Sequence, residues 1–284
     1  MECFFVTDLH GDIGKYRLLF RQILTDQPNM VFIGGDLLAG SFLRNSKHSE
    51  DIINNILAKG FYQIKQKLSL NYPSVFIIMG NDDSKSEENL LIKYDKKGLW
   101  HYINQKHLVT NKLDIFGYSW VPPTPFLNKD WERYDVSRFV DIGCVAPEEG
   151  YHTTKFSQIE AEHRTIWEDL HEMTRGFDLT NAIVLFHAPP YQTGLDRAAL
   201  DGKMIDYAPL DVHVGSIAIK RFIEQYQPLI TMHGHVHESF SITNIWKEKI
   251  GRTICMSAAN NSKSLTLVKF STENPYAAKR FELQ

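Results

Sequence analysis

Short apolar runs rich in β-branched and aromatic residues recur along this chain, and each ends at a polar or glycine-bearing turn. Five such runs, Glu2 to Thr7, Met30 to Ile33, Val75 to Met79, Ile183 to Phe186 and Leu229 to Met232, predict buried strands. Between the first two, Tyr16, Leu19, Phe20, Ile23 and Leu24 repeat at helical spacing, and Ile52, Ile53, Ile56, Leu57 and Ile64 give a second helix its buried face. A helix from about Ser216 to Gln225 precedes the last run. This alternation predicts an α/β fold.

The rhythm breaks between Trp120 and Thr180. A proline-rich turn, Pro122 to Pro125, is followed by mixed aromatic and charged residues and by a helical stretch from about Ser157 to Met173. No Gly/Ser linker flanks it, so the expectation is one domain over 1–284 with an insertion or cap at about 120–180. A length of 284 residues with 43% hydrophobic content suits one large core.

Composition narrows the partners. The chain carries 31 basic and 34 acidic residues, a formal net charge of −3, so no global positive field draws it to nucleic acid. Cys3, Cys144 and Cys255 form no CxxC pair and are expected to be reduced core thiols. The first residues contain neither a basic region nor a long apolar stretch, which predicts a cytoplasmic protein with no membrane anchor.

The candidate chemistry sits at the strand ends, as Asp8-Leu9-His10, Gly34-Gly35-Asp36, Gly80-Asn81-Asp82-Asp83, His187 and Gly234-His235-Val236-His237. Ligands gather at the carboxyl ends of strands in α/β sheets, so these clusters are expected to meet. Their i, i+2 pairs, Asp8 with His10 and His235 with His237, turn both side chains the same way on extended backbone. The set offers imidazoles, carboxylates and one amide oxygen without a thiolate. That mixture suits Mn, Fe, Zn, Co or Ni more than a bare Mg site. Seven donors are too many for one tetrahedral ion and enough for two if a carboxylate bridges. Two such ions acidify a shared water and clamp a phosphate ester.

The order Asp-x-His, Gly-Asp, Gly-Asn-x-Asp, His, Gly-His-x-His resembles the calcineurin-like metallophosphoesterases from Asp8 to His237. The resemblance implies a four-layer fold with two central mixed β-sheets flanked by helices. It implies one metal held by Asp8, His10 and His237, a second held by Asn81, His187 and His235, and Asp36 bridging. Gly117-Tyr118 with Pro122 to Phe126, His187 to Tyr191, His213 to Ser216 and Gly234 to Ser239 resemble the Icc-related branch. The implied activity is hydrolysis of a small phosphate ester through a hydroxide between two divalent ions, with manganese favoured. A non-catalytic scaffold and a nuclease are the alternatives.

One position departs from that pattern: Asp82 stands where many members carry a histidine that assists the leaving group. A carboxyl with a reference pKa near 3.9 is anionic at neutral pH and repels phosphate unless burial protonates it. Asp82 is expected to be a protonated acid, a hydrogen-bond acceptor behind the ligands, or a loop cap, with His213 as another proton donor. Loss of the histidine predicts a preference for phosphodiesters. Ser216 is read as a helix N-cap, although helix N-terminal amides also suit phosphate. Trp131, Arg133, Tyr134 and His152 are weaker substrate-contact candidates. His48, His101, His107, His163 and His171 are expected to be structural or surface residues.

Overall fold

The structure, a computed structural model, describes residues 1–38 and 51–284. Alternation along the buried strands decides the layering. In β1 (Glu2–Val6), β2 (Met30–Gly34) and β3 (Ser74–Ile78), Val6, Val31, Ile33 and Ile77 face one side while Phe5, Phe32, Phe76 and Ile78 face the other. The first group packs with Tyr16, Leu19, Ile23 and Phe61 of the helices Ile13–Asp26 and Lys59–Leu68. The second joins a core shared with another sheet.

The remaining strands are β4 (His101–Tyr102), β5 (Lys106–Thr110), β6 (Leu113–Tyr118), β7 (Ala182–Phe186) and a two-stranded hairpin of β8 (Met204–Ile205) and β9 (Ala208–Pro209). They continue with β10 (Ile230–His233), β11 (Lys247–Ile250), β12 (Thr253–Ser257), β13 (Leu265–Ser271) and β14 (Lys279–Leu283). One six-stranded sheet runs β14-β13-β1-β2-β3-β4 and the other β11-β12-β10-β7-β6-β5. Their centres are parallel, and β13, β14, β5 and β11 join antiparallel. In β7, Ile183 and Leu185 face the shared core, while Val184 and Phe186 pack with Leu170, Ile219 and Phe222 of the helices Ile166–Thr174 and Ile217–Tyr226. Two helix layers therefore enclose two mixed sheets.

All five expected strands form. The expected helix from Ser157 to Met173 is instead two helices, Gln158–His163 and Ile166–Thr174. Thr165 breaks it, at φ −118° and ψ 153°, by making a reciprocal capping box with Glu168. The antiparallel edges went unread because strands such as β14 alternate charged and apolar residues and lack a continuous apolar run.

Between β6 and β7 the chain is mostly irregular and firmly packed. Trp120 and Trp131 meet edge to face at 5.0 Å, Lys129 and Glu132 form a fully buried ion pair, and Asp169 accepts from Tyr118 Oη at 2.7 Å while pairing with Arg133. Among the described residues, no helix is long and apolar enough to cross a membrane.

Candidate metal centre

The carboxyl ends of β1, β2 and β3 in one sheet face those of β7 and β10 in the other, and the polar clusters follow directly. The turns are tight. Asp8, His10, Asp36 and His235 have φ of 55°, 46°, 49° and 71°, the left-handed region that non-glycine residues avoid. Each such residue costs about 1–3 kcal/mol and persists only where its surroundings hold it. Here Asp8 N–H donates to Gly35 O at 3.1 Å and His10 N–H to Asp36 O at 2.8 Å, lacing the β1 and β2 turns together.

One donor atom from each of Asp8, His10, Asp36 and His237 lies within 4.8 Å of the others. His237 Nε2 is 3.4 Å from Asp8 Oδ1 and 3.0 Å from His10 Nε2. On the other side of Asp36, His187 Nε2 stands 3.4 Å from Asp36 Oδ2 and 3.0 Å from Asn81 Oδ1. Asp36 Oδ2 also lies 3.9 Å from His10 Nε2, so this one oxygen faces both groups, while Asp36 Oδ1 accepts from Asp82 N–H at 2.8 Å. The His235 ring lies 5.4 Å from that of His187, centre to centre, and its backbone N–H donates to Asp8 Oδ1 at 3.2 Å.

The supports behind these side chains suit ligation. His187 Nδ1 is 2.8 Å from Gly34 O and donates to it, which aims Nε2 at Asp36 and Asn81. Asp8 Oδ2 is buried without a hydrogen-bond partner. An unsatisfied buried acceptor costs about 1–3 kcal/mol, more when charged, and a cation removes that cost. The oxygen and imidazole set thus fits divalent ions.

Charge is concentrated accordingly. Burial opposes ionisation of Asp36, but the charges of His187, His10 and His237 outweigh it and hold the carboxyl far below the usual range. Burial likewise opposes the charged forms of His187 and His237, yet Asp36 raises His187 to about 10, and the bond and charge of Asp8 raise His237 to about 9. Burial, then the neighbouring His187 charge, lowers His235 to about 3. Positive charge on His187 and His237 thus offsets the buried carboxylates Asp36 and Asp8.

The cluster closes one end of a cleft of about 570 Å³. Asp36, Asn81, His235 and His237 line it, together with Asp82 and His213. Asp82 Oδ2 lies 3.5 Å from His10 Nδ1, and burial, then the Asp36 charge, raises its pKa. Asp82 therefore stands behind His10 as well as on the cleft wall. His213 Nδ1 is 2.7 Å from Oδ1 of the fully buried Asp196, which orients its ring.

Asp196 and Asp135 escaped the sequence reading, and Asp83, though inside the Gly80-to-Asp83 cluster, was given no role of its own there. Asp83 accepts from the N–H groups of Leu37, Leu38 and Gly80 at 2.8–3.0 Å and pins the loops after β2 and β3. Asp196 accepts from Gln192 and Thr193 as well as holding His213. Asp135 accepts from Ser216 Oγ and from the N–H groups of Ile217 and Ala218. That carboxylate occupies the helix N-terminus that phosphate would use. Ser216 is the N-cap, its Oγ accepting from Ile219 N–H at 3.0 Å.

Other expectations are corrected. Trp131 is buried, Arg133 pairs with Asp169, Tyr134 bonds Glu148 and His152 stacks on Phe156; all four lie outside the cleft, and Arg133 and His152 line a separate pocket. Cys3 and Cys255 are buried free thiols, but Cys144 is only half-buried and lines the cleft. Among the remaining histidines, His101, His107, His163 and His171 lie away from the cleft, and His48 lies outside the described residues.

Comparison with known proteins agrees with this architecture. A protein of Methanocaldococcus jannaschii described as uncharacterized is 37% identical over 87 residues, 30% of this chain and 34% of that protein, so the match spans about a third of the relative. One solved structure superposes with a TM-score of 0.62 at 11% identity, covering 100% of this chain and 99% of the other. A structure from Thermus thermophilus gives 0.57 at 10% identity, with coverage of 100% and 99%. Such low identities speak to the fold alone. The family profile described as calcineurin-like phosphoesterase matches residues 1–239, most of the chain. With that span of sequence and this pair of sheets, the chain belongs to the calcineurin-like phosphoesterase family.

Proposed function

We propose that this protein hydrolyses phosphate esters, diesters in preference to monoesters, at a dinuclear centre. The observation that carries the reading is the position of Asp36 Oδ2, which faces His187 on one side and His10 on the other. In this reading Asp8, His10 and His237 hold one ion, Asn81, His187 and His235 hold the second, and Asp36 serves both. Two divalent ions, when bound, acidify a shared water to hydroxide at neutral pH and neutralise the phosphate oxygens. Manganese is the ion we favour for this donor set.

The chain's own residues supply the rest. Asp82, 3.5 Å from His10 Nδ1, keeps that ring turned so that Nε2 faces Asp36. Its negative charge at the cleft also repels a monoester dianion more than a diester monoanion. His213, held by Asp196, donates the proton that the leaving alkoxide needs. General acid assistance of this kind contributes about 100-fold to 10,000-fold. The segment at about 120–180 acts as a cap over this single domain, since Pro122 to Phe126, Phe139 and Asp141 to Cys144 line the cleft.

The test is turnover of bis-p-nitrophenyl phosphate and p-nitrophenyl phosphate by the manganese-reconstituted protein, compared with Asp82→His. The diester is expected to be the better substrate, and Asp82→His to raise monoester hydrolysis relative to diester. An unchanged ratio would reject the role of Asp82. Bound metal without turnover of either ester would favour a non-catalytic scaffold instead.

A further inference from the structure

Beyond the phosphate end, the cleft changes character. Phe126, Phe139 and Ile142 line one wall while standing 54%, 70% and 49% exposed, and Ile205 and Leu210 line the wall opposite. The two walls touch: a Cβ added to Gly143 would stand 2.6 Å from Ile205 Cδ1. The cleft that holds Asp36, Asn81 and His237 thus also has a largely apolar arm, with the aromatic side chains of Phe126 and Phe139 left in water along it. Water-exposed apolar surface arranged on both sides of a cleft is what an apolar ligand covers. Asp141 and Asp211 lie on the same arm and would oppose a second phosphate. Lys85, Arg133 and Lys155, which would welcome one, line a separate pocket beside Trp120.

We infer that the substrate is an amphiphilic ester carrying a single phosphate, whose organic part is an uncharged chain or ring lying between Phe139 and the hairpin of β8 and β9. This rests on the phosphoesterase reading and adds to it a class of substrate. The phosphate faces Asp36, Asn81 and His237, and each added methylene moves further along the arm. Nucleic acid and polyphosphates fit poorly, because their repeating charge would meet Asp141 and Asp211.

The experiment uses the full chain loaded with manganese. Alkyl p-nitrophenyl phosphodiesters from methyl to octyl are assayed for kcat/KM, and the matching alkylphosphonates are titrated by calorimetry. Burial of a methylene favours binding by about 2- to 4-fold, so both series are expected to rise by that factor per carbon until the arm is filled. The double variant Phe139→Ala, Ile142→Ser should flatten both slopes, the octyl members losing most and the methyl members least. Both side chains are largely exposed, so their loss leaves the core intact. Flat series in the wild type, or tighter binding of a chain ending in a second phosphonate, would overturn the inference. Chain-length-dependent phosphonate binding with no hydrolysis of any ester would sink the phosphoesterase reading and with it the ester as substrate, leaving only the apolar stretch as the seat of a bound amphiphile.

Discussion

At the residue scale, the centre depends on a few atoms in costly conformations. Asp36→Asn takes the carboxylate charge from the oxygen that faces both groups, and His187→Ala removes an imidazole 3.4 Å from it, neither opening the hydrophobic core. Both are expected to keep wild-type circular dichroism, lose bound manganese by elemental analysis and lose activity by more than about 100-fold, the upper end of what outer-shell losses cost. Retained metal and turnover in either would refute the assignment. Gly35 tests the turn itself. Its φ is 96°, and an added Cβ would stand 2.7 Å from His187 Nδ1 and 2.8 Å from Met79 O. Gly35→Ala should therefore push His187 off its Gly34 bond and weaken manganese affinity as well as lower Tm; unchanged calorimetric affinity would show that the ring keeps its place. The cluster members were legible because each follows an apolar run directly. Asp196 and Asp135 were not, since each is an ordinary loop aspartate in sequence, and Asp83, though inside the Gly80-to-Asp83 cluster, gave no sign there of what it holds. Their partners are backbone amides or side chains that only the fold brings near: Leu37 lies 46 residues from Asp83, and Ile217 lies 82 from Asp135.

At the element scale, Asp135 links the segment after β6 to the helix Ile217–Tyr226. It satisfies the first two amides of that helix and sits where the helix dipole favours negative charge. Asp135→Ala is expected to cost about 1–2 kcal/mol, the range of a strong cap, read as a lower midpoint in urea at constant slope. The variant should also weaken turnover through the adjoining 211–216 loop, which carries His213; a midpoint equal to wild type would show the carboxylate to be dispensable. Parallel central strands were readable because burial on both faces leaves a continuous apolar run. The break at Arg164 and Thr165 and the alternating edges were not, because two extended residues or a half-exposed strand leave the surrounding pattern almost unchanged.

At the scale of the whole molecule, the two sheets meet around the ligand cluster, and its protons make stability depend on pH. His187 and His237, raised to about 10 and about 9 from an unfolded value near 6.5, contribute stability that is full below about pH 6.5 and is lost as pH rises through 9 to 10. Asp8 and Asp36 are lowered, so their contribution is present above an unfolded value near 3.9 and does not change in this window. His235, lowered to about 3, is neutral in the folded state throughout, and its unfolded form sheds its proton near 6.5, so it opposes the loss only at the low end of this window. The metal-free protein should accordingly lose Tm between about pH 6.5 and 9.5. Manganese needs deprotonated ligands and binds better over the same interval. Thermal scans with and without chelator should show the gap between loaded and metal-free protein widening with pH, and a constant or narrowing gap would refute this account.

The place of β1 in its sheet has a consequence for synthesis. It lies between β2 and β13, pairing Cys3 with Met30 on one side and with Phe270 on the other. A chain emerging from a ribosome offers β1 its first neighbour early and its second only after nearly all of these residues have been made. Until then the strand leading to Asp8 and His10 is an open edge, and His235 and His237 have only just been delivered. The strand that leads to Asp8 and His10 is therefore flanked on both sides only once Phe270 has been made.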